Sequence, residues 1–107
     1  MSLVPNAGYV SIDPRKLTYL LQTDPGKAKF FTAYGFHPSR PDELGTALRQ
    51  HVLRNRCHHV SRSLWGMKYE VRCTMPTPDG RNPCVRSFWF TDAGQHVPRL
   101  VTSYANS

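Results

Sequence analysis

The sequence predicts an α+β domain in which N-terminal helices pack on one face of a roughly four-stranded antiparallel sheet. Two observations carry this prediction. Apolar residues recur at helical spacing before residue 55, and apolar and polar residues alternate along several segments after residue 57. The chain has 107 residues, enough for one compact core. We therefore expect a flexible lead-in over residues 1–10 and a single domain over residues 11–105.

Three helices are predicted in the N-terminal half of the chain. Asp13-Pro14 and Asp24-Pro25 each place a capping carboxylate before a proline, and proline suits the first helical position. Gly35 is placed to end the second helix in a left-handed conformation. A third helix is expected from Asp42 to about Asn55, and its apolar side is formed by Leu44, Ala47, Leu48, His51 and Val52.

Alternating side chains predict strands in the C-terminal half. Residues 67–73 indicate a half-buried strand, and residues 78–81 (Pro-Asp-Gly-Arg) indicate a turn. Residues 85–90 carry apolar groups on both faces, which favours a central strand with Trp89 buried. In a regular last strand, one face carries Leu100, Thr102 and Tyr104, and the other carries Arg99, Val101 and Ser103.

The net charge of the chain indicates which classes of partner it can attract. Lys and Arg number 14 against 7 Asp and Glu, a formal net charge of +7, so attraction to a polyanion is expected. A merely soluble basic protein would have the same charge. No apolar run reaches the roughly 20 residues of a membrane span, and residues 1–5 lack the features of a signal peptide. We therefore expect a cytoplasmic protein without a membrane partner.

The cysteines and neighbouring histidines are candidates for a metal site. His58 and His59 follow Cys57 in a predicted edge strand, which raises the possibility of zinc. Cys73 and Cys84 do not supply the paired-ligand spacing of structural zinc sites. An odd set of three cysteines also argues against a disulfide framework. The sequence predicts reduced thiols in strands, no metal and no cofactor.

Short motifs occur in a definite order between residues 12 and 104. They are Lys16-Leu17, Pro25-Gly26-Lys27-Ala28 with Phe30-Phe31, Gly35-Phe36, and residues 66–69, 77–81 and 98–104. In this order they resemble a small bacterial domain family of unassigned function, found alone and at the C-terminal ends of polymorphic and contact-dependent toxins. The resemblance implies a branch of the barnase, EndoU, colicin and RelE-like ribonuclease fold, with helices followed by a four-stranded antiparallel sheet.

The activity implied by this resemblance is toxin-like endoribonuclease cleavage of RNA without a metal ion. Such cleavage needs a proton-transfer group and cations that stabilise the phosphate. His51 is the histidine that the family pattern favours for proton transfer. A structural histidine at the edge of the core explains equally well its place beside Leu44 and Leu48.

Lys27, Arg99, Thr102 and Tyr104 complete the candidate catalytic set. Lys27 lies in the first turn of its predicted helix, where N–H groups and a cation can hold a phosphate, or it is an ordinary solvated lysine. Arg99 can bind a phosphate through two N–H groups, or it packs against a ring or forms a surface ion pair. Thr102 and Tyr104 can orient a phosphate from one face, although a core tyrosine is the alternative for Tyr104. Arg99 joins them only if the strand contains a bulge or a twist at its end.

A second group of residues predicts a surface that binds nucleic acid. Lys68, Arg72, Arg81 and Arg86 lie on or beside the strands, with aromatic residues between them. RNA is the expected partner, and an acidic immunity or antitoxin protein is a further expected partner. The alternative function is a non-enzymatic module that binds nucleic acid or an acidic protein. A structural accessory domain with scattered lysines is the third hypothesis.

Overall fold

The structure, a computed structural model, describes residues 2–106 and confirms the predicted α+β class. The helices are α1 (Pro14–Thr18), α2 (Pro25–Ala33) and α3 (Pro41–Arg54), and the strands are β1 (Cys57–Ser63), β2 (Gly66–Thr74), β3 (Cys84–Asp92) and β4 (Arg99–Ala105). A 3₁₀ turn at Ala7–Tyr9 precedes α1, and a π-helical turn at Tyr19–Thr23 joins α1 to α2. All helices therefore precede the sheet, as predicted.

The helix boundaries follow the predicted capping chemistry. Asp13 Oδ1 accepts a 2.9 Å hydrogen bond from the Arg15 N–H, and Asp24 Oδ1 accepts a 3.1 Å hydrogen bond from the Lys27 N–H. Gly35 follows α2 with φ of 101°, which confirms the left-handed helix end. A Cβ at Gly35 would also lie 3.0 Å from a side-chain carbon of Pro78, so this turn requires glycine for space as well.

Helix α3 contributes one buried side to the centre of the core. Asp42 and Glu43 lie in its first turn, where negative charge stabilises the helix dipole. Its buried side is the predicted one and consists of Leu44, Gly45, Ala47, Leu48, His51 and Val52. At 14 residues α3 is the longest helix. None of the helices within residues 2–106 has the length and apolarity needed to cross a membrane.

The four strands form one antiparallel sheet in the order β1-β2-β3-β4. β1 is an edge strand and β3 an inner strand, as the sequence predicted, and Trp89 is fully buried. Directly opposed residues of neighbouring strands share a face. One face, the core face, packs on the helices through Tyr69, Val71, Val85, Trp89 and Leu100. Trp65 lies between β1 and β2 and is 77% exposed.

The N-terminal segment differs from the predicted flexible lead-in. Val4, Ala7 and Val10 are buried in the core, and the Ser2 carbonyl accepts a 2.9 Å hydrogen bond from the Cys57 N–H. These three apolar residues recur every third position, and the 3₁₀ turn at Ala7–Tyr9 packs against α3. Residues 2–10 are therefore part of the domain. Met1, which the same prediction included, lies outside the described residues.

The last strand also differs from its predicted regular form. Trp89 pairs with Leu100 and Phe88 pairs with Thr102, so Val101 is an extra residue that forms a β-bulge. The bulge reverses the alternation at this point. Arg99, Thr102 and Tyr104 share one face, while Leu100 and Ser103 are buried on the core face. The prediction that Leu100 shares a face with Thr102 and Tyr104 was wrong, because it assumed an unbroken period of two.

Candidate nucleic-acid interface

The face of the sheet that points away from the helices, the open face, carries most of the candidate site. Three rows of opposed residues cross it from strand to strand. The first row is Ser61, Lys68, Phe90 and Arg99; the second is His59, Glu70, Phe88 and Thr102; the third is Arg72, Arg86 and Tyr104. Asp92 continues the alternation of β3 at one end. This surface carries four Lys or Arg side chains and two carboxylates, so its net charge is positive.

The bulge at Val101 places Arg99, Thr102 and Tyr104 on the open face together. Same-face neighbours along a strand are about 7 Å apart, so the three side chains form a row rather than meet at one point. The Thr102 Oγ1 atom is buried and makes no hydrogen bond within residues 2–106. The candidate set from β4 is therefore assembled on one face but is spread along it.

A carboxylate lies at the centre of the open face between two guanidinium groups. Glu70 forms an ion pair with Arg72 on its own strand, and its Oε2 lies 3.8 Å from Nε of Arg86 on β3. The Glu70 side chain is only 13% exposed, which limits its motion. Lys68, two residues before Glu70, is exposed and forms no ion pair in the described part of the chain.

Arg99 forms an ion pair at the edge of the open face. Its Nε lies 2.9 Å from Oδ2 of Asp92, and its Nη2 donates a 3.2 Å hydrogen bond to Oδ1. This pair lowers the pKa of the Asp92 carboxyl, chiefly through the hydrogen bond from Arg99. Both side chains are about half exposed. A phosphate at Arg99 must therefore compete with Asp92 for the guanidinium.

Aromatic rings lie beneath the cations of the open face. Phe88 and Tyr104 stack with ring centroids 5.3 Å apart. Lys68 Nζ lies 5.2 Å from the centroid of the Phe88 ring. The guanidinium carbon of Arg86 lies 5.9 Å from the Tyr104 centroid, and that of Arg99 lies 5.2 Å from the Phe90 centroid. Cations within about 6 Å of a ring are attracted to its π face. The rings thus hold the cations above the sheet.

Lys27 reaches the open face from α2. Its Nζ lies 5.7 Å from the Tyr104 ring centroid and 5.4 Å from that of Tyr19. Asp24 Oδ2 is 3.4 Å from the same ammonium, and Oδ1 accepts from the Lys27 N–H. The structure therefore brings Lys27 and Tyr104 together. The Asp24 carboxylate already occupies the helix terminus where a phosphate was predicted to bind.

His51 does not reach the open face. Its imidazole lies within the core, fully buried, on the opposite side of the sheet. Its Nε2 lies 2.8 Å from the Cys73 carbonyl oxygen and 3.0 Å from that of Val85, and its Nδ1 is 2.8 Å from the Ser87 hydroxyl. Burial lowers the pKa of His51. Every ring nitrogen is occupied, which is the arrangement of a structural histidine.

Arg81 is also separated from the other predicted nucleic-acid-binding residues. Its Nε pairs with Asp79 Oδ2 at 2.6 Å, and its Nη2 donates a 2.8 Å hydrogen bond to the Ala33 carbonyl. Its guanidinium carbon lies 4.2 Å from the Tyr34 ring centroid. Arg81 thus fastens the β2–β3 loop to the end of α2, whereas Lys68, Arg72 and Arg86 lie on the sheet.

Two titratable residues at the centre of this surface were not among the predicted catalytic or nucleic-acid-binding residues. His59 and Glu70 are direct partners on β1 and β2. A depression of about 120 Å³ lies beside them and is lined by His59, Ser61, Lys68, Glu70 and Phe88. The alternation of Lys68, Glu70 and Arg72 places Glu70 on the polar face. The strand register that brings His59 opposite Glu70 has no signal in the sequence, because β1 contains a bulge after Cys57.

Three larger depressions lie away from this group. One, of about 430 Å³, is between α3 and the β2–β3 loop, where Asp42 and Glu43 are the only charged lining residues. Another, of about 450 Å³, lies beside the N-terminal segment and has no charged lining residue. The third, of about 330 Å³, lies between α1 and α3, and its one cation, Arg49, is accompanied by Asp42. Within residues 2–106, no three His, Cys, Asp or Glu side chains are grouped as metal ligands.

The architecture and surface define a small α+β domain with a helical layer on one side of its sheet and a basic, aromatic surface on the other. The chain belongs to the family described as Domain of unknown function (DUF6883), which matches residues 3–107. The match includes the N-terminal segment that packs on the core. No curated protein and no solved structure is significantly similar to the chain.

Proposed function

We propose that this protein acts on RNA through the open face of its sheet and cleaves it without a metal ion. The observation that carries the proposal is the bulge at Val101. It places Arg99, Thr102 and Tyr104 on the same face as Lys68, Arg72 and Arg86. A regular strand would divide these residues between the two faces.

The chemistry of the open face supports single-stranded RNA as the ligand. Single strands are bound by surfaces that combine cations for phosphates with aromatic rings for bases, and some domains use a four-stranded sheet in this way. Here the cations lie above Phe88, Phe90 and Tyr104. A base that stacks on Phe90 or Tyr104 displaces Arg99 or Arg86, and the displaced guanidinium remains next to the phosphates.

The motifs of α2 and β4 support the proposal of a toxin-related origin for the domain. Lys27 of the Pro25-Gly26-Lys27-Ala28 motif and Tyr104 of the β4 motif meet at the edge of the open face. Two motifs that are distant in sequence thus contribute to one surface. We propose that this surface belongs to a toxin-like branch of the ribonuclease fold, that it acts on cytoplasmic RNA and that an acidic immunity protein covers it.

Binding is tested by the salt dependence of affinity for a fluorescent single-stranded RNA, measured by anisotropy. Each phosphate contact to a single strand contributes about −0.7 to the slope of log K against log [salt]. Lys68→Gln is expected to weaken binding and to make the slope shallower by about 0.7, because one contact is lost. Lys29→Gln is the matched control, since Lys29 is exposed on α2 two residues beyond Lys27. Equal effects of the two substitutions would contradict the assignment of this surface.

Cleavage is tested by incubating the purified protein with transfer RNA in the presence of a chelator. We expect cleavage that requires the 2′-hydroxyl, so a fully deoxy oligonucleotide of the same sequence should remain intact. Intact RNA together with salt-sensitive binding would exclude the enzyme and favour the non-enzymatic module. The burial of His51 is the observation that favours that second candidate, because it removes the histidine that the resemblance implied.

A further inference from the structure

We propose that His59 and Glu70 are the proton-transfer pair of this domain, an inference that rests on the proposed function. The two residues are direct partners on β1 and β2, and both belong to the open face. Directly opposed side chains have Cβ atoms about 5 Å apart. The depression of about 120 Å³ beside them is several times the roughly 30 Å³ that a water molecule occupies.

The surroundings of Glu70 match the needs of phosphate chemistry. Arg72 and Arg86 hold its carboxylate from one side, and Lys68 lies two residues away on the same strand. Of these three cations, Lys68 lines the depression, and Arg72 and Arg86 lie beside the depression at the Glu70 carboxylate. The carboxylate is fixed by its ion pairs, and the cations can stabilise the charge that develops on a pentavalent phosphorus.

His59 is the histidine best placed for proton transfer. His51 is buried with its ring nitrogens occupied, and His37 Nδ1 accepts a 3.0 Å hydrogen bond from the Ser39 N–H in the loop after α2. His96 lies outside the strands, between β3 and β4, and His58 lies in the β1 bulge without a partner residue on β2. His59 is exposed and lies in register with a carboxylate inside the basic cluster.

The step is an intramolecular transfer of the phosphoryl group within the RNA. The Glu70 carboxylate takes the proton of the 2′-hydroxyl, and the 2′-oxygen forms a bond to phosphorus. The bond between phosphorus and the 5′-oxygen breaks, and the His59 imidazolium gives its proton to that oxygen. The products are a 2′,3′-cyclic phosphate and a 5′-hydroxyl. Glu70 is left protonated and His59 neutral, and proton exchange with water restores both.

The test compares His59→Ala and Glu70→Gln with two matched controls. His96→Ala removes an exposed imidazole and keeps the His96 backbone carbonyl, which accepts a hydrogen bond from the Asn6 side chain. Glu43→Gln removes an exposed carboxylate on α3. Single-turnover cleavage of a short RNA in chelator and RNA affinity are measured for all four variants. We expect each of the pair to lower the rate by about 10²–10⁴ with little loss of affinity, and the controls to retain wild-type rates.

The outcomes separate the two proposals. If the wild-type protein cleaves RNA and both His59→Ala and Glu70→Gln cleave equally fast, the pair is refuted and the proposed function stands. If the wild-type protein binds RNA but leaves it intact, both the pair and the enzyme are refuted. Thermal melts of the variants, compared with the wild type, exclude unfolding. A double variant with the rate of either single variant would support a pair that acts as a unit.

Discussion

The Ser87 hydroxyl of β3 donates a 2.8 Å hydrogen bond to Nδ1 of His51 on α3, inside the core. The Nε2 atom of His51 faces two carbonyl oxygens, which only accept, so Nε2 carries the proton and Nδ1 is the acceptor. Trp89 Nε1 donates a 2.8 Å hydrogen bond to the same Ser87 oxygen. A neutral histidine therefore joins the helical layer to the two inner strands.

His51→Ala is expected to lower the free energy of unfolding by about 2–4 kcal/mol. The substitution leaves a cavity and removes the hydrogen-bond partner of buried polar groups. Urea denaturation measures this loss, and exposed His96→Ala is the control, with an expected change within about 0.5 kcal/mol. A stable His51→Ala protein that has lost only RNA cleavage would restore His51 as a catalytic residue.

Stability is expected to fall as pH drops below about 6.5, the ordinary pKa of histidine. Burial lowers the pKa of His51, so the unfolded chain takes up a proton at a pH where the folded protein does not. The loss of stability levels off below the pKa that His51 has in the folded protein. Asp13, whose pKa is lowered to about 2, affects the free energy of unfolding only at more acidic pH.

This pH effect is measured as the urea midpoint at pH 7.5 and 5.5 for the wild type and for His51→Gln. The midpoint of the wild type should decrease more between these pH values, because the variant lacks the titrating imidazole. An identical decrease in both proteins would show that His51 is not the source.

Thr102→Val is expected to leave stability unchanged or to raise it by up to about 1 kcal/mol. The Thr102 Oγ1 atom is buried without a hydrogen-bond partner in the described chain, so its removal breaks no contact. RNA affinity or cleavage should decrease several-fold if this hydroxyl orients the substrate, whereas Thr102→Ser should retain activity. Chemical denaturation and the RNA assays together separate the two roles, and a marked loss of stability would contradict this account.

Cys73→Gly is expected to stabilise the protein by about 1 kcal/mol. Cys73 has φ of 118°, a conformation that side chains rarely adopt, and its side chain is exposed. Glycine relieves the strain at a smaller entropic cost and keeps the Cys73 carbonyl available to His51. Cys73→Ala retains a Cβ and should give no gain in urea denaturation, so equal stability of both variants would exclude backbone strain as the cause.

The helices and strands were largely predictable because their signals are local. Asp13 and Asp24 each lie next to the groups that they cap, and the spacing of Leu44 and Leu48 follows from the geometry of one helix. The alternation along β2 likewise depends on a single strand. Trp89 was correctly predicted to be buried because its own strand carries apolar groups on both faces.

The candidate site was predicted only in part because it depends on register. The pattern of residues 98–104 does not reveal that Val101 is an extra residue, since the bulge exists only relative to β3. The partnership of His59 and Glu70 depends on a second bulge in β1. His51 was correctly placed on the buried side of its helix. This side also excludes His51 from the open face, because α3 packs on the other face of the sheet.

The amino-acid order thus contains the element types, their boundaries and the excess of positive charge, because helix caps, side-chain periodicity and composition act over a few residues. Which cations lie together, and which histidine is accessible, depends on how the strands pair and which face the helices cover. Those choices are made by packing between residues far apart in the chain, so one inserted residue in β4 moves Arg99 to the other face without changing any local signal.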